Sequence, residues 1–200
     1  MTRLTLALAG LSLACLSLAG CALGRSPIAT TWVLDPVAVQ ASSQARAEAG
    51  ALSVEKVRVP DWLDRAQFVV RGNDGRLEFD DRARWGEPLG RGLQRVIAEN
   101  LASLLTDRRV IAAPAPPRDA IAVRLSLDFV EAARQSDGVF RVTVRWEFQA
   151  ADGKSLRRGV STSHITTAKP GAAGTVAALD EALFKIAAEL SEVVRGIVSN

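Results

Sequence analysis

Apolar and polar residues alternate most regularly in the second half of the chain. Ile121, Val123, Leu125, Leu127 and Phe129 are separated by Ala122, Arg124, Ser126 and Asp128; Phe140, Val142, Val144, Trp146 and Phe148 are separated by Arg141, Thr143, Arg145 and Glu147. A period of two with one apolar side predicts half-buried strands. Gln135-Ser136-Asp137-Gly138 and Ala151-Asp152-Gly153-Lys154 supply the turns, and residues 156–165 make a weaker third strand, so the region reads as an antiparallel meander.

A period of 3.6 appears twice. Leu89, Leu93, Val96, Ile97, Leu101, Leu104 and Leu105 form one stripe, broken by Asn100, in a helix entered through Arg84-Trp85-Gly86-Glu87-Pro88. Pro88 suits the first helical turn, and Glu87 sets a negative charge at the positive end of the dipole. Val176, Leu179, Leu183, Ile186, Leu190, Val193 or Val194, and Ile197 step through a long terminal helix after Pro170-Gly171, with Thr175 as the expected N-cap. Shorter strands are expected over 31–34 (stopped by Asp35-Pro36), 52–59 (stopped by Pro60), 67–71 and 110–113. Gly72-Asn73-Asp74-Gly75 joins 67–71 to residues 76–79 as a hairpin, and 80–84 leads into the first helix. Residues 37–50 and Pro114-Ala115-Pro116-Pro117 read as loops. Two amphipathic helices and a half-buried sheet predict one layered α+β domain.

The start of the chain changes the class. Met1-Thr2-Arg3 is a short positive region, residues 4–18 are an apolar Leu/Ala-rich run too short to span a bilayer comfortably, and Leu18-Ala19-Gly20-Cys21 closes it. This segment resembles the lipobox of bacterial lipoproteins, with Cys21 as the lipidation site. Residues 1–20 are then a cleaved signal peptide, 21–31 a lipidated tether and 32–200 the folded domain. Several acyl chains of the palmitate type on Cys21 anchor the protein without a transmembrane helix. Cys15 leaves with the signal, so the mature monomer has no disulfide. By resemblance to the lipoprotein sorting pattern, Ala22 after the cysteine implies the outer membrane, with the domain facing the periplasm.

Charge narrows the partners and chemistry little further. The 200-residue chain carries +3 formally, with Lys and Arg dispersed among Asp and Glu, which speaks against nucleic acid. A single histidine and two cysteines leave no set of metal ligands, no nucleophile–base pair and no sign of a cofactor. His164, beside Ser161-Thr162-Ser163 on a strand, reads as structural or exposed. Asp61, Asp64, Asp80 and Asp81 read as turn chemistry.

Two separated motifs remain: Pro60-Asp61-Trp62-Leu63-Asp64-Arg65-Ala66-Gln67-Phe68-Val69-Val70-Arg71, and Arg84-Trp85-Gly86-Glu87-Pro88-Leu89 followed by Arg95-Val96-Ile97-Ala98-Glu99-Asn100-Leu101. Together with the lipobox and Trp32-x-Leu34-x-Pro36, they resemble the ABC-type transport auxiliary lipoprotein component family, the PqiC-like (paraquat-inducible C) lipoproteins. The resemblance runs from Cys21 to the last helix. The chain departs from the family pattern at Trp62 (Tyr is usual), Ala66 (Pro) and Gly86 (Ala); Ala66 is expected to loosen a turn and Gly86 the helix entrance. The resemblance implies a layered α/β domain with a mixed sheet and a non-enzymatic role. The implied partners are an MCE-domain protein and ABC transporter components that move lipids or other hydrophobic molecules between inner and outer membranes.

Trp62, Arg65, Arg84, Trp85 and Glu87 are the candidate partner-docking residues. In the structural alternative, Trp85 packs under the first helix while Arg65 or Arg84 pairs with Glu87 or Asp64. The polar strand face (Arg124, Asp128, Arg141, Arg145, Glu147) is expected to be solvated, with a protein interface as the alternative. A second functional reading is a periplasmic carrier or receptor that holds a lipid between helix and sheet. Homo-oligomerisation is left open.

Overall fold

A computed structural model describes residues 28–37, 50–114, 120–167 and 169–198. The elements in chain order are β1 (Thr30–Trp32), β2 (Ala51–Val54), β3 (Gln67–Arg71), β4 (Leu77–Trp85), α1 (Leu89–Leu104), β5 (Val110–Ala112), β6 (Ile121–Gln135), β7 (Val139–Ala150), β8 (Ser155–Thr166) and α2 (Gly171–Val198). The lipobox and residues 21–27 of the tether lie outside the described residues, as do 38–49 of the expected 37–50 loop and 115–117 of the proline-rich loop.

β6 is the spine of an eight-stranded mixed sheet. One of its edges pairs antiparallel with β7, and β7 in turn with β8, which is the expected meander. Fifteen extended residues reach about 50 Å, longer than any one neighbour, so the other edge is shared end to end. β2 runs parallel to its start, with Leu52 opposite Val123 and Val54 opposite Leu125, and β3 runs parallel to its end, with Val70 opposite Arg134. Between them Arg58 bridges to Asp128. β2 carries β5, while β3 carries β4 and then β1, so the sheet forks on this side.

α2 lies against β7 and β8, α1 against β2 and β5, and the helices touch each other. The layer between helices and sheet is one apolar cluster that includes Leu93, Ile97, Leu101, Leu125, Phe129, Phe140, Phe148, Leu179 and Leu183. This is the α+β domain expected from the two periods, with the mixed sheet that the family resemblance implied.

Several boundaries differ from expectation. The alternation in β6 does not end at Phe129: a bulge between Phe129 and Glu131 inserts Val130, after which even-numbered residues face inward, with Ala132 opposite Val142. Residues 80–84 are strand rather than lead-in, and β4 continues through Trp85 with β3 on one side and β1 on the other. Only Ala83 of that stretch is buried, so no apolar alternation marks it. The helix therefore starts at Leu89, with Pro88 extended at the cap position (φ −52°, ψ 128°). β2 stops at Val54, and Val57 and Val59 sit on the kinked stretch around the Arg58 bridge. β1 ends at Trp32, after which Leu34 turns in and is 2% exposed. Thr175 is not a cap: α2 begins at Gly171, and the Thr175 hydroxyl donates back to the Gly171 carbonyl at 3.1 Å. Ala172 and Ala173 are good helix formers without the side-chain oxygen that marks a start.

Candidate functional site

The candidate docking residues separate into two places. Trp85, the last residue of β4, stacks on Phe68 of β3 with centroids 3.9 Å apart and planes 25° apart. The Arg65 guanidinium lies 4.3 Å above the Phe79 ring. Asp64, Arg65, Ala66, Trp85, Gly86, Glu87 and Pro88 line a surface hollow of about 340 Å³. Arg65, Trp85 and Glu87 are thus brought together. Arg84 is exposed on β4, opposite Gln67 and Thr31. Trp62 faces a second hollow, of about 410 Å³, with Arg58, Val59, Pro60, Asp128, Phe129, Val130 and Arg145. The Arg71 guanidinium lies 5.9 Å from the Trp62 ring.

The partner of Glu87 is neither Arg65 nor Arg84 but Arg95, which donates to Glu87 at 2.7 Å and approaches Glu99 at 3.7 Å. The Glu87 bond raises the already high pKa of the Arg95 guanidinium. Gly86 tightens the entrance rather than loosening it. Its N–H donates to the Trp32 carbonyl at 2.7 Å, and a Cβ there would lie 3.0 Å from Val33 Cγ1 and 3.1 Å from Thr31 Cγ2. Glycine lets β1 close against the end of β4.

That contact begins a clamp on the segment leading back toward the N-terminus. Arg95 donates to the Leu34 carbonyl at 2.8 Å, Asp180 of α2 accepts the Asp35 N–H at 3.2 Å, and Asn100 of α1 accepts the Val37 N–H at 3.0 Å. Asn100, fully buried in the apolar stripe, is there to satisfy a backbone donor. A polar residue inside a helical stripe was the one sequence signal for this clamp. Arg95 and Asp180 gave none, because their partners lie far away in sequence.

Burial pushes the Asp180 carboxyl up to about 6, with help from the Asp35 charge and against the Asp35 N–H bond and the Arg95 charge. The folded state therefore holds a proton that the unfolded chain has released above about pH 4. Stability from this group is full below pH 4 and is lost as pH rises through 6. Asp180→Asn keeps the acceptor and removes the charge. At pH 7.5 it is expected to gain about 1 kcal/mol after solvent screening, roughly 2–4 °C in Tm. Thermal melts from pH 4 to pH 8 check this: the gain should vanish at pH 4, and an equal gain at both ends would refute it.

On the polar strand face, Arg124 pairs with Glu55 at 3.1 Å, Arg141 with Asp137 at 3.1 Å, and Arg145 approaches Asp128 at 3.9 Å. Beside them Arg58, Ser126, Asp128, Arg145, Trp146, Glu147, Arg158 and Val160 contribute to a hollow of about 380 Å³. It shares Arg58, Asp128 and Arg145 with the hollow under Trp62, so Trp62 belongs with this face rather than with Trp85. His164 is exposed on β8, and Asp80 and Asp81 lie within β4 rather than in a turn, where the Asp80 carboxylate accepts the Arg82 N–H at 2.8 Å. Among the described residues no three His, Cys, Asp or Glu side chains are grouped to hold a metal, and no helix is long and apolar enough to cross a membrane. The arrangement offers stacked aromatics, fixed ion pairs and shallow hollows, which suit contact with another molecule.

Comparison with known proteins agrees with this geometry. Residues 32–191 match the model of the family described as ABC-type transport auxiliary lipoprotein component. Two crystal structures share the fold. One, of an uncharacterized protein, aligns with TM-score 0.71 and 18% identity over 84% of this chain and 99% of its own. The other, protein XCC0632 from Xanthomonas campestris, of the family DUF330, aligns with TM-score 0.67 and 16% identity over 82% and 93%. No curated protein sequence matches the chain significantly. With the family model covering nearly all of the described fold, from Trp32 in β1 to Ser191 in α2, the chain belongs to the ABC-type transport auxiliary lipoprotein component family, a family of transport lipoproteins rather than of enzymes.

Proposed function

We propose that this auxiliary lipoprotein is anchored in the outer membrane through acylated Cys21, faces the periplasm, and docks onto an MCE-type assembly with its ABC transporter components. It would thereby help lipids or other hydrophobic molecules pass between the membranes. The observation that carries the reading is the position of the family's most specific motif. Arg84-Trp85-Gly86-Glu87-Pro88-Leu89 forms a stacked, ion-paired platform joined directly to β1, the first strand after the tether. A docking surface at that place would link partner and anchor through a few rigid residues. Trp85 and Glu87 would hold the platform while Arg65 and Arg84 contact the partner; Trp62 would extend the contact across the sheet face.

The packing supports this reading over a lipid carrier, because the layer where a lipid would lie is filled by Leu93, Ile97, Leu125, Phe129 and Phe148, each at most 1% exposed. The test is recovery of the full-length lipoprotein from cross-linked membranes of its own host. An MCE-domain protein or an ABC component is expected in the eluate. Arg65→Glu with Arg84→Glu should cut that recovery by about tenfold with Tm unchanged. Recovery of neither component by the unaltered protein would overturn the proposal.

A further inference from the structure

The sheet has three outer strands, and only one of them is long. β1 and β5 are three residues each, whereas β8 is twelve residues long and, among the described residues, pairs with β7 alone. The Thr167 N–H donates to the Gly138 carbonyl, and the register continues as Ile165 opposite Phe140, Ser163 opposite Val142 and Ser161 opposite Val144. In an antiparallel ladder bonded pairs recur every second residue. Odd-numbered residues of β8 therefore point their N–H and C=O groups at β7. Those of Arg158, Val160, Thr162 and His164 point off the edge. The same four side chains are exposed on the face away from the helices, with Val160 at 59%. The edge is thus a ladder of backbone donors and acceptors with an apolar residue at its centre.

Its charge selects what can join it. β8 contains Arg157, Arg158 and His164 and no acidic residue, and among the described residues neither arginine is in an ion pair. A second copy of β8 would lay arginines along a ladder with no acid to meet them, which like-charge pairing disfavours. A strand with carboxylates at alternate positions would meet Arg158 from the solvent face.

We infer that the free edge of β8 is a strand-addition site for an extended acidic segment of another polypeptide, bound through the outward backbone groups of Arg158, Val160, Thr162 and His164 and selected by Arg158 on the solvent face, with Arg157 adding positive charge on the other face. β8 lies at the opposite end of the sheet from β4 and the Trp85 platform. The edge ladder is therefore separate from the Trp85 platform, although the hollow beside Val160 shares Arg58, Asp128 and Arg145 with the one under Trp62.

The test uses the purified full-length protein and two synthetic nine-residue peptides, one alternating Glu with Val and one alternating Lys with Val. The Glu peptide should bind about tenfold more tightly than the Lys peptide at about 50 mM salt, with the advantage shrinking as salt rises. It should slow hydrogen exchange at the amides of Arg158, Val160, Thr162 and His164. Arg157→Glu with Arg158→Glu should reverse the preference. Val160→Pro, which removes one outward N–H from an edge where proline is tolerated, should weaken both peptides while leaving Tm within a few degrees. Equal binding of the two peptides, protection elsewhere in the fold, or concentration-dependent protection of these amides without peptide would each overturn the inference.

Discussion

Phe148→Ala is expected to cost about 3–5 kcal/mol, the range for truncating a fully buried phenylalanine where the surroundings cannot collapse. Phe148 is 0% exposed, on the inner face of β7, with Leu125 of β6 opposite on one side and Arg157 of β8 on the other. The Trp146 ring meets it edge-on, with centroids 5.8 Å apart and planes at 62°. It is flanked on both sides by paired strands, and α2 packs against β7. Neither a hydrogen-bonded ladder nor a long packed helix can shift far to refill the space. The loss corresponds to roughly 10 °C in Tm for a domain of this size. Urea denaturation checks it: the midpoint should fall with the slope unchanged, the mark of lost stability rather than a changed unfolded state. A loss below about 1 kcal/mol would mean that the layer is loosely packed.

The same face shows what the sequence could and could not reveal. Ile121 to Phe129 and Phe140 to Phe148 were legible because their strands have one buried and one solvated side. The end of β6 was not, because the bulge at Val130 moves the inward set from odd to even numbers, and a pattern that changes phase looks like one that stops. The second half of β4 was missed for a different reason: with only Ala83 buried between 80 and 84, its place comes from hydrogen bonds to β3 and β1 rather than from apolar burial. The parallel pairings of β2 and β3 with β6 join residues far apart in the chain and leave no local mark; only the family resemblance pointed to a mixed sheet. In the candidate site, the motif at Trp85 was legible as a unit, but the partner of Glu87 was sought among nearby arginines of the two motifs. Eight residues along, Arg95 stands on the same side of α1 and can reach Glu87 and the Leu34 carbonyl at once. Nothing in local sequence announces a residue that joins a strand end, a helix and a strap.

β8 was read as weak for a reason that leads to the second large effect. Its inward positions are Gly159, Ser161 and Ser163, too small to show an apolar alternation. The first two are small because the Trp146 indole lies across them, with Nε1 donating to the Ser161 hydroxyl at 2.9 Å. A Cβ on Gly159 would sit 2.4 Å from Trp146 Cζ2 and 2.9 Å from both Cε2 and Cη2. Gly159→Ala must therefore move either a paired strand or the ring. Moving the ring breaks the bond to Ser161, which is 2% exposed, and disturbs the contact with Phe148. The expected cost is about 2–3 kcal/mol, combining overpacking with a stranded polar group. It should appear as a lower urea midpoint and a red shift of the Trp146 emission, read in a variant whose other three tryptophans are replaced by phenylalanine. The mechanism makes a sharper demand in the double variant. Trp146→Phe removes the Cζ2 and Cη2 atoms that the new methyl would strike, so in that background Gly159→Ala should cost less than about 1 kcal/mol. A penalty that stayed the same in both backgrounds would show that the backbone of β8, and not the indole above it, demands glycine at 159.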